Sequence, residues 1–447
     1  MFANRFDTDS TKGHLPTKPR MNFLILTLYF PPEIGAAPTR IDAMTRELAK
    51  LGHNVEVVTG MPNYPQGKIL EGYRGSFYRK EMRDGVVVHR VWLYPTVGRG
   101  LGRLLNYLSF SLLSLCGLLR ARKPDYLFVE SPPLTLSVPG NIYAYLRRIP
   151  LIFNVADLWP DTLVEMGLLQ PGTTLELLYR LERWTYRKAT FVNAVTEGLR
   201  ESLLNAKAIP QGKVLFLPNG VDTERHQPRD ADETLKRSLG LTGKKVILYS
   251  GTLGRAHGLE NVLEAAKLLE NEKDIHFLFL GDGSERTALQ EMTKRLHLSN
   301  VMFHDAVSIE QLAPFQSIAD CGLISLRNLP IFEGARPSKM FPLLAAGKPL
   351  IYCGQGEGAN LVKEAKAGIV VPPGDPQALA TVIPKLLRDR PLLNELAMNG
   401  RRFVEEHYEW RGLVGKWVRD LELAAANSTR LRNTADQKAF KQQPERL

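Results

Sequence analysis

"KVILYSGTLGRAHGLENVLEAAKLL", residues 245–269, opens as a buried strand, bends through a glycine-rich loop and closes as an amphipathic helix. Its apolar run has no alternation, so both faces are expected to be covered, which is the mark of a strand in a parallel sheet. It follows "DTERHQPRDADETLKRSLG" (222–240), a charged stretch with a proline, and it restarts a pattern already seen upstream. Working back, "NFLILTLYF" (22–30), "NVEVVTG" (54–60), "VVVHRVWLY" (86–94), "DYLFVES" (125–131), "PLIFNVAD" (150–157), "TFVNAVT" (190–196) and "KVLFLPNG" (213–220) read as strands. Working forward, "IHFLFLGDG" (275–283), "VMFHDAV" (301–307), "CGLISL" (321–326), "PLIYCG" (349–354) and "GIVVPPGD" (368–375) do the same. Strands that alternate with helical patterns, in two runs, give two doubly wound α/β domains facing a cleft. Ligands of such sheets lie beyond the carboxyl ends of the strands.

The domain limits follow. Residues 1–20 are polar, without an apolar core, and are expected to be a disordered leader rather than a secretory signal. A first domain spans 21–225 and a second 226–405. A helical segment at 406–426 ends the folded chain, and 427–447 is expected to be a disordered tail.

The 447 residues carry a net charge of +11, with 44% hydrophobic and 23% charged residues. That balance suits a globular protein with an anionic partner. No Arg/Lys block is interleaved with aromatics, so a nucleic acid is the least suited of those partners. Three cysteines without short spacing give neither a disulfide framework nor a zinc knuckle, and fit a reducing cytoplasm. The nine histidines form no metal-ligand spacing. "DAD" (230–232) lies in the charged linker, and reads as solvated charge rather than as a metal site.

Residues 104–119, "LLNYLSFSLLSLCGLL", carry no charge but are flanked by Arg103, Arg120, Arg122 and Lys123. The segment is short for a membrane span. It reads either as a buried helix or as an interfacial helix lying on anionic lipid.

Several loops have the composition of phosphate sites. Gly35 and Ala36 precede a helix whose N–H groups can meet an anion. Gly251, Gly254 and Gly258 surround Arg255 and His257, without the dinucleotide spacing. Gly281 and Gly283 form a turn after a strand. Pro337 suits a helix start, which would put Ser338 and Lys339 in its first turn. Glu333 lies just upstream. Ordinary βα turns, a helix cap and a solvated lysine explain each feature singly.

Together, "LYFPPEIGAAPTR" (28–40), "DLWPD" (157–161), "PNGVD" (218–222), "GTLGRAHGLENVLEA" (251–265), "LGDGSER" (280–286), "RPSKMFPLLAAGKP" (336–349) and "AGIVVPPGDPQALA" (367–380) resemble the retaining GT-B glycosyltransferases of family 4. The resemblance covers about residues 21 to 425. It is nearest the transferases of bacterial capsule, colanic-acid and O-antigen assembly, N-acetylfucosamine transferases included. It implies a nucleotide-sugar donor, UDP-linked, carrying an N-acetylated amino sugar or a deoxy sugar, and a polyprenyl-diphosphate-linked glycan as acceptor. It also implies a peripheral position on the inner face of the cytoplasmic membrane, no metal and no enzyme nucleophile, the leaving phosphate helping to deprotonate the acceptor.

Carried over, Gly35 and Ala36 face the donor diphosphate, with Gly251, Thr252, Gly254, His257, Gly281 and Ser338 around it. Arg255 and Lys339 hold the phosphates, and Glu333 reaches the sugar or ribose. Asp157 either stands near the reacting sugar or caps a helix. The final helices cross back to the first domain. Several positions depart from the family. Pro342 replaces the glutamate that follows the Ser-Lys element, with Gly334 eight places before it. Thr252 and His257 stand where many members have Arg and Lys. A sugar-nucleotide epimerase and a non-catalytic scaffold on the same fold remain as alternatives.

Overall fold

The computed structural model describes residues 20–64, 66–96 and 100–441. The expected leader, apart from Arg20, lies outside the described residues. The first sheet contains β1 (Asn22–Leu26), β2 (Asn54–Gly60), β3 (Tyr78–Arg83), β4 (Val86–Val91), β5 (Tyr126–Ser131), β6 (Leu151–Val155), β7 (Phe191–Ala194) and β8 (Val214–Phe216). Their order is β3-β4-β2-β1-β5-β6-β7-β8, parallel except for the β3–β4 hairpin. The second sheet contains β9 (Lys245–Ser250), β10 (Ile275–Leu280), β11 (Val301–His304), β12 (Cys321–Ser325), β13 (Leu350–Cys353) and β14 (Gly368–Val371). Its order is β11-β10-β9-β12-β13-β14, parallel throughout.

Sequence reading finds every strand but β3, whose "YRKEMR" lacks a buried run because it is an edge with half its residues in solvent. Its signal lay in the turn. Asp84 and Gly85 both take positive φ, 47° and 79°. Asp-Gly at two such positions makes a tight two-residue hairpin.

The chain crosses between the domains twice, and the two crossings touch. Val221 donates its N–H to the Tyr408 carbonyl (2.7 Å), and Trp410 donates to the Val221 carbonyl (3.2 Å). Beyond them the helix Trp410–Lys441 packs on α1 (Ala36–Lys50) and on β8. It buries Val414, Trp417, Val418 and Leu421 in the core of the first domain. The tail expected to be disordered from residue 427 therefore continues this helix to Lys441. Arg, Leu, Lys and Ala are good helix formers, and extending an anchored helix escapes the cost of nucleation. Residues 442–447 lie outside the described residues.

The apolar segment forms α2 (Leu101–Arg120), which is neither buried nor free. Asn106, Ser111 and Ser114 face inward, while Leu101, Leu104, Leu105, Leu108, Leu112 and Leu119 face outward. Gly117 allows this close approach, since a Cβ there would meet Val58 Cγ1 at 2.6 Å. The inner side also buries Tyr107, Phe110 and Leu118, so the helix is apolar on both sides, and α3 (Ser137–Arg147) beside it also exposes Val138, Ile142, Tyr145 and Leu146. By length and composition α2 passes as a membrane span, but its inner face is part of the first domain's core.

Candidate active site

Parallel strands carry their C-terminal loops to the same edge, so the two sheets put theirs on opposite walls of one cavity of ≈ 1980 Å³. From the first domain come Gly35, Ala36, Tyr64 and Asp157. From the second come Gly251, Thr252, His257, Gly281, Glu333, Ser338 and Lys339. Gly254 and Arg255 are not on its wall. Arg255 opens a short turn, Arg255–His257, and its side chain stands in solvent. Of the two cations expected there, the structure places Lys339 on the cavity wall.

Lys339 precedes the helix Met340–Ala345, which begins three residues later than Pro337 suggested. Its Nζ donates to the Tyr249 hydroxyl, which in turn donates to the Thr252 carbonyl (2.7 Å). The ammonium lies 4.1 Å from the Tyr249 ring centroid and 3.4 Å from His257 Nε2. Among the described residues it has no carboxylate partner. Burial pushes its pKa down to about 7. Burial, and then the Lys339 charge, hold His257 well below the usual imidazole range, while its Nδ1 sits 3.3 Å from the Ser325 carbonyl. Glycine at 251 is required because Lys339 Cε would lie 3.2 Å from a Cβ there, at φ 136°. Gly281 is pressed on the same loop, with the Gly251 oxygen 2.0 Å from a Cβ position.

Across the cleft, Gly35 begins α1 without a side-chain cap. The helix therefore leaves the N–H groups of Ala36 and Ala37 uncapped at the cavity wall, Pro38 having none, with the dipole of a 15-residue helix behind them. Glu33 below is fully enclosed and accepts from the N–H groups of Asn63 (2.9 Å), Tyr64 (3.0 Å) and Phe30 (3.3 Å). Burial raises its pKa to about 7. Asp157 lines the cavity and accepts from Thr162 Oγ1 (2.6 Å). Burial raises its pKa, against the pull of that hydrogen bond. It braces the loop before the helix Asp161–Glu165, where Pro160 holds the cap position.

Sequence reading missed the contacts that join the two walls. Glu357 accepts from the N–H groups of Gly198 (2.8 Å) and Glu197 (3.1 Å) and pairs with Arg336 (2.6 Å). Thr196 Oγ1 donates to the Gly334 carbonyl (2.8 Å), where Gly198 and Gly334 meet backbone to backbone. Glu357 follows β13 in "CGQGEG" (353–358), so a carboxylate just past a strand end was its available signal. Glu333 accepts from Gln355 Nε2 (3.3 Å), and Pro342 gives its carbonyl to Gln316 Nε2 (3.0 Å). "DAD" serves the linker, Asp232 capping the helix Glu233–Ser238.

Residues 35–220 match the family of glycosyl transferase 4-like domains, and residues 231–403 match the glycosyl transferases group 1 family. The chain belongs to the family 4 glycosyltransferases. This transferase is 30% identical to the putative colanic acid biosynthesis glycosyl transferase WcaI of Escherichia coli K12, over 73% of its own chain and 82% of that protein. The probable glycosyltransferase WbjE of Pseudomonas aeruginosa is 25% identical over 65% and 72% of the two chains. In fold the transferase matches HepE of Anabaena, solved with UDP and glucose (TM-score 0.68, 17% identity, 90% and 100% covered). WaaG, a glycosyltransferase involved in lipopolysaccharide biosynthesis, matches with a TM-score of 0.64, 17% identity and 89% and 98% coverage. Both are GT-B proteins, so the two-sheet cleft of this transferase is a GT-B cleft. Family membership makes it an enzyme, which sets the scaffold reading aside, and one that transfers sugars, which sets the epimerase reading aside.

Proposed function

We propose that this transferase moves a sugar from a nucleoside-diphosphate sugar to a lipid-linked glycan in bacterial surface-polysaccharide synthesis. The observation that carries the donor is Lys339, a part-buried ammonium on the cavity wall without a carboxylate partner among the described residues, set between two glycine turns and opposite a helix N-terminus. Burying a cation is costly unless an anion joins it. A diphosphate would supply that anion and leave with its charge stabilised by Lys339 and the N–H groups of α1. The chemistry then asks for no metal and no nucleophile, and transfer proceeds with retention. HepE, solved with UDP and with UDP-glucose, supports UDP as the nucleotide, and the E. coli relative's name supports the pathway.

The test is calorimetry in EDTA with UDP-glucose and GDP-mannose, whose diphosphate does not titrate near neutrality. One of the two should bind, and more tightly at pH 6 than at pH 8.5. Lys339 is charged below its pKa of about 7 and must take up a proton to bind above it. Each pH unit above 7 therefore weakens affinity by up to about tenfold. No binding of either ligand at either pH would end the donor reading.

The acceptor reading rests on the leucine face of α2 and α3, rimmed by Arg120, Arg122, Lys123, Arg147 and Arg148, all exposed. Such a face fits an anionic bilayer. The chain should float with phosphatidylcholine–phosphatidylglycerol vesicles. Leu104→Glu/Leu108→Glu/Leu112→Glu should lose about tenfold or more in vesicle affinity, since each buried leucine contributes about 1.5–3 kcal/mol. Equal flotation of the two proteins would remove the bilayer as partner.

A further inference from the structure

We propose that Arg103, with Tyr29, Tyr64 and Tyr107, forms a subsite for the phosphate or diphosphate of the lipid-linked acceptor, where the leucine face of α2 meets the cleft. This rests on the lipid-linked acceptor of the proposed function and adds the place where its charged head is held.

Arg103 lies in the first turn of α2, among the outward-facing Leu101, Leu104 and Leu105. Its Nε donates to the Tyr107 hydroxyl (2.6 Å), and its guanidinium stands 5.3 Å from that ring's centroid. No carboxylate pairs with it among the described residues. The other groups within its electrostatic reach are the phenols of Tyr29 and Tyr64. Their rings lie 5.4 Å apart, and neither hydroxyl has a hydrogen-bond partner among the described residues.

Every group here can donate. Tyr107 accepts from Arg103 and keeps its own proton to give, the two free phenols have theirs, and the guanidinium has four N–H bonds left. A guanidinium held for structural reasons is normally paired with a carboxylate. Glu33 is near Tyr29 and Tyr64, but its oxygens are taken by backbone N–H groups. Asp282, across the cleft, faces Tyr64 and not Arg103. A cluster of donors without an acceptor is complementary to a multiply charged oxyanion.

Position supplies the rest. On one side the cluster continues into the leucine face, where a prenyl tail would lie. On the other, Tyr64 lines the main cavity, its ring 3.9 Å from the Cβ position of Gly35. Trp159 packs edge-on to Tyr107, 6.3 Å between centroids, two residues after Asp157. It offers an apolar wall for the first sugar. Tail, head and sugar thus follow one line from the surface to the donor.

Intrinsic fluorescence of the full chain, titrated with geranyl diphosphate, inorganic pyrophosphate and geraniol, tests this. The Lys339→Met background keeps diphosphate out of the donor crevice. Geranyl diphosphate should bind more tightly than the other two. Adding Arg103→Ala should weaken it by about tenfold or more, with Arg103→Lys restoring part of the loss. On the Lys339 background, Arg103→Ala should leave UDP-glucose affinity within about twofold. Unchanged geranyl diphosphate affinity in Arg103→Ala overturns the proposal, and so does an equal loss of UDP-glucose binding. Pyrophosphate binding as well as geranyl diphosphate would make this a free-phosphate site and overturn the lipid assignment. If no nucleotide sugar binds but geranyl diphosphate still depends on Arg103, the donor reading fails and the subsite stands.

Discussion

Lys339→Met should cost this transferase its donor without costing it its fold. Removal of one buried cation facing the leaving diphosphate should lower kcat/KM by about 10²–10³-fold, the usual effect of deleting one preorganised charge-stabilising group. The fold should not suffer, because the empty cleft gains nothing from the charge. Burial holds the lysine near pKa 7, against the 10.5 of an ordinary lysine. Between those values the unfolded chain binds more protons than the folded one, so this group's contribution to stability rises with pH across that window. At pH 7 to 8 the charge is therefore a burden of a few kcal/mol, and methionine removes it while keeping the chain length. Melting curves at pH 7 and 9 should show the variant at least as stable as the parent at pH 7, with the gap closing at pH 9. A melting temperature several degrees lower at both pH values, or donor binding that survives, would contradict this account of the site.

Trp417→Ala should be the most damaging single change in the first domain. The indole is 1% exposed, and stands 6.1 and 6.0 Å from the rings of Phe23 and Phe128. Its Nε1 donates to Asn193 Oδ1 (2.9 Å). Asn193 donates to Asn154 (2.6 Å), and Asn154 to Glu130 (2.7 Å), which meets Arg40. Truncation leaves a cavity worth about 3–5 kcal/mol. It also leaves one end of a fully buried polar chain unsatisfied, for about 1–3 kcal/mol more. Trp417→Phe keeps most of the volume and should cost only the second part. Urea unfolding followed by circular dichroism separates the two. Equal midpoints for Trp417→Ala and Trp417→Phe would show that packing of this helix is not what holds the domain.

The two-sheet architecture was legible because parallel strands are covered on both faces and declare themselves as unbroken apolar runs. β3 escaped because an edge strand half in solvent carries charges, and only its Asp-Gly turn gave it away. The glycine turns at 251 and 281 and the lysine at 339 were legible as candidate site residues, since each is local in sequence, and the fold brings them to one cavity. Tyr249 was not, because a tyrosine inside the unbroken apolar run of β9 reads as core, and only the fold brings its hydroxyl to Lys339. Glu357 and Arg336 work only once the two domains meet. The outward leucines of α2 were hidden for a related reason. A run of leucines says that apolar surface exists, but which side faces inward depends on where Gly117 can approach β2.

The helix Trp410–Lys441 is last in the chain yet completes the core of the domain that was first. The two halves are therefore not modules that can be traded at a single seam. A chimera cut once near residue 225, to graft on another donor half, would pair the first domain with a foreign helix against Phe23, Phe128 and Asn193. Exchange of donor specificity between relatives calls for two junctions, one on each of the strands that run side by side at Val221 and Tyr408. Lineages that altered their sugar would have had to do so by substitution within the second sheet's loops, or by replacing an internal cassette.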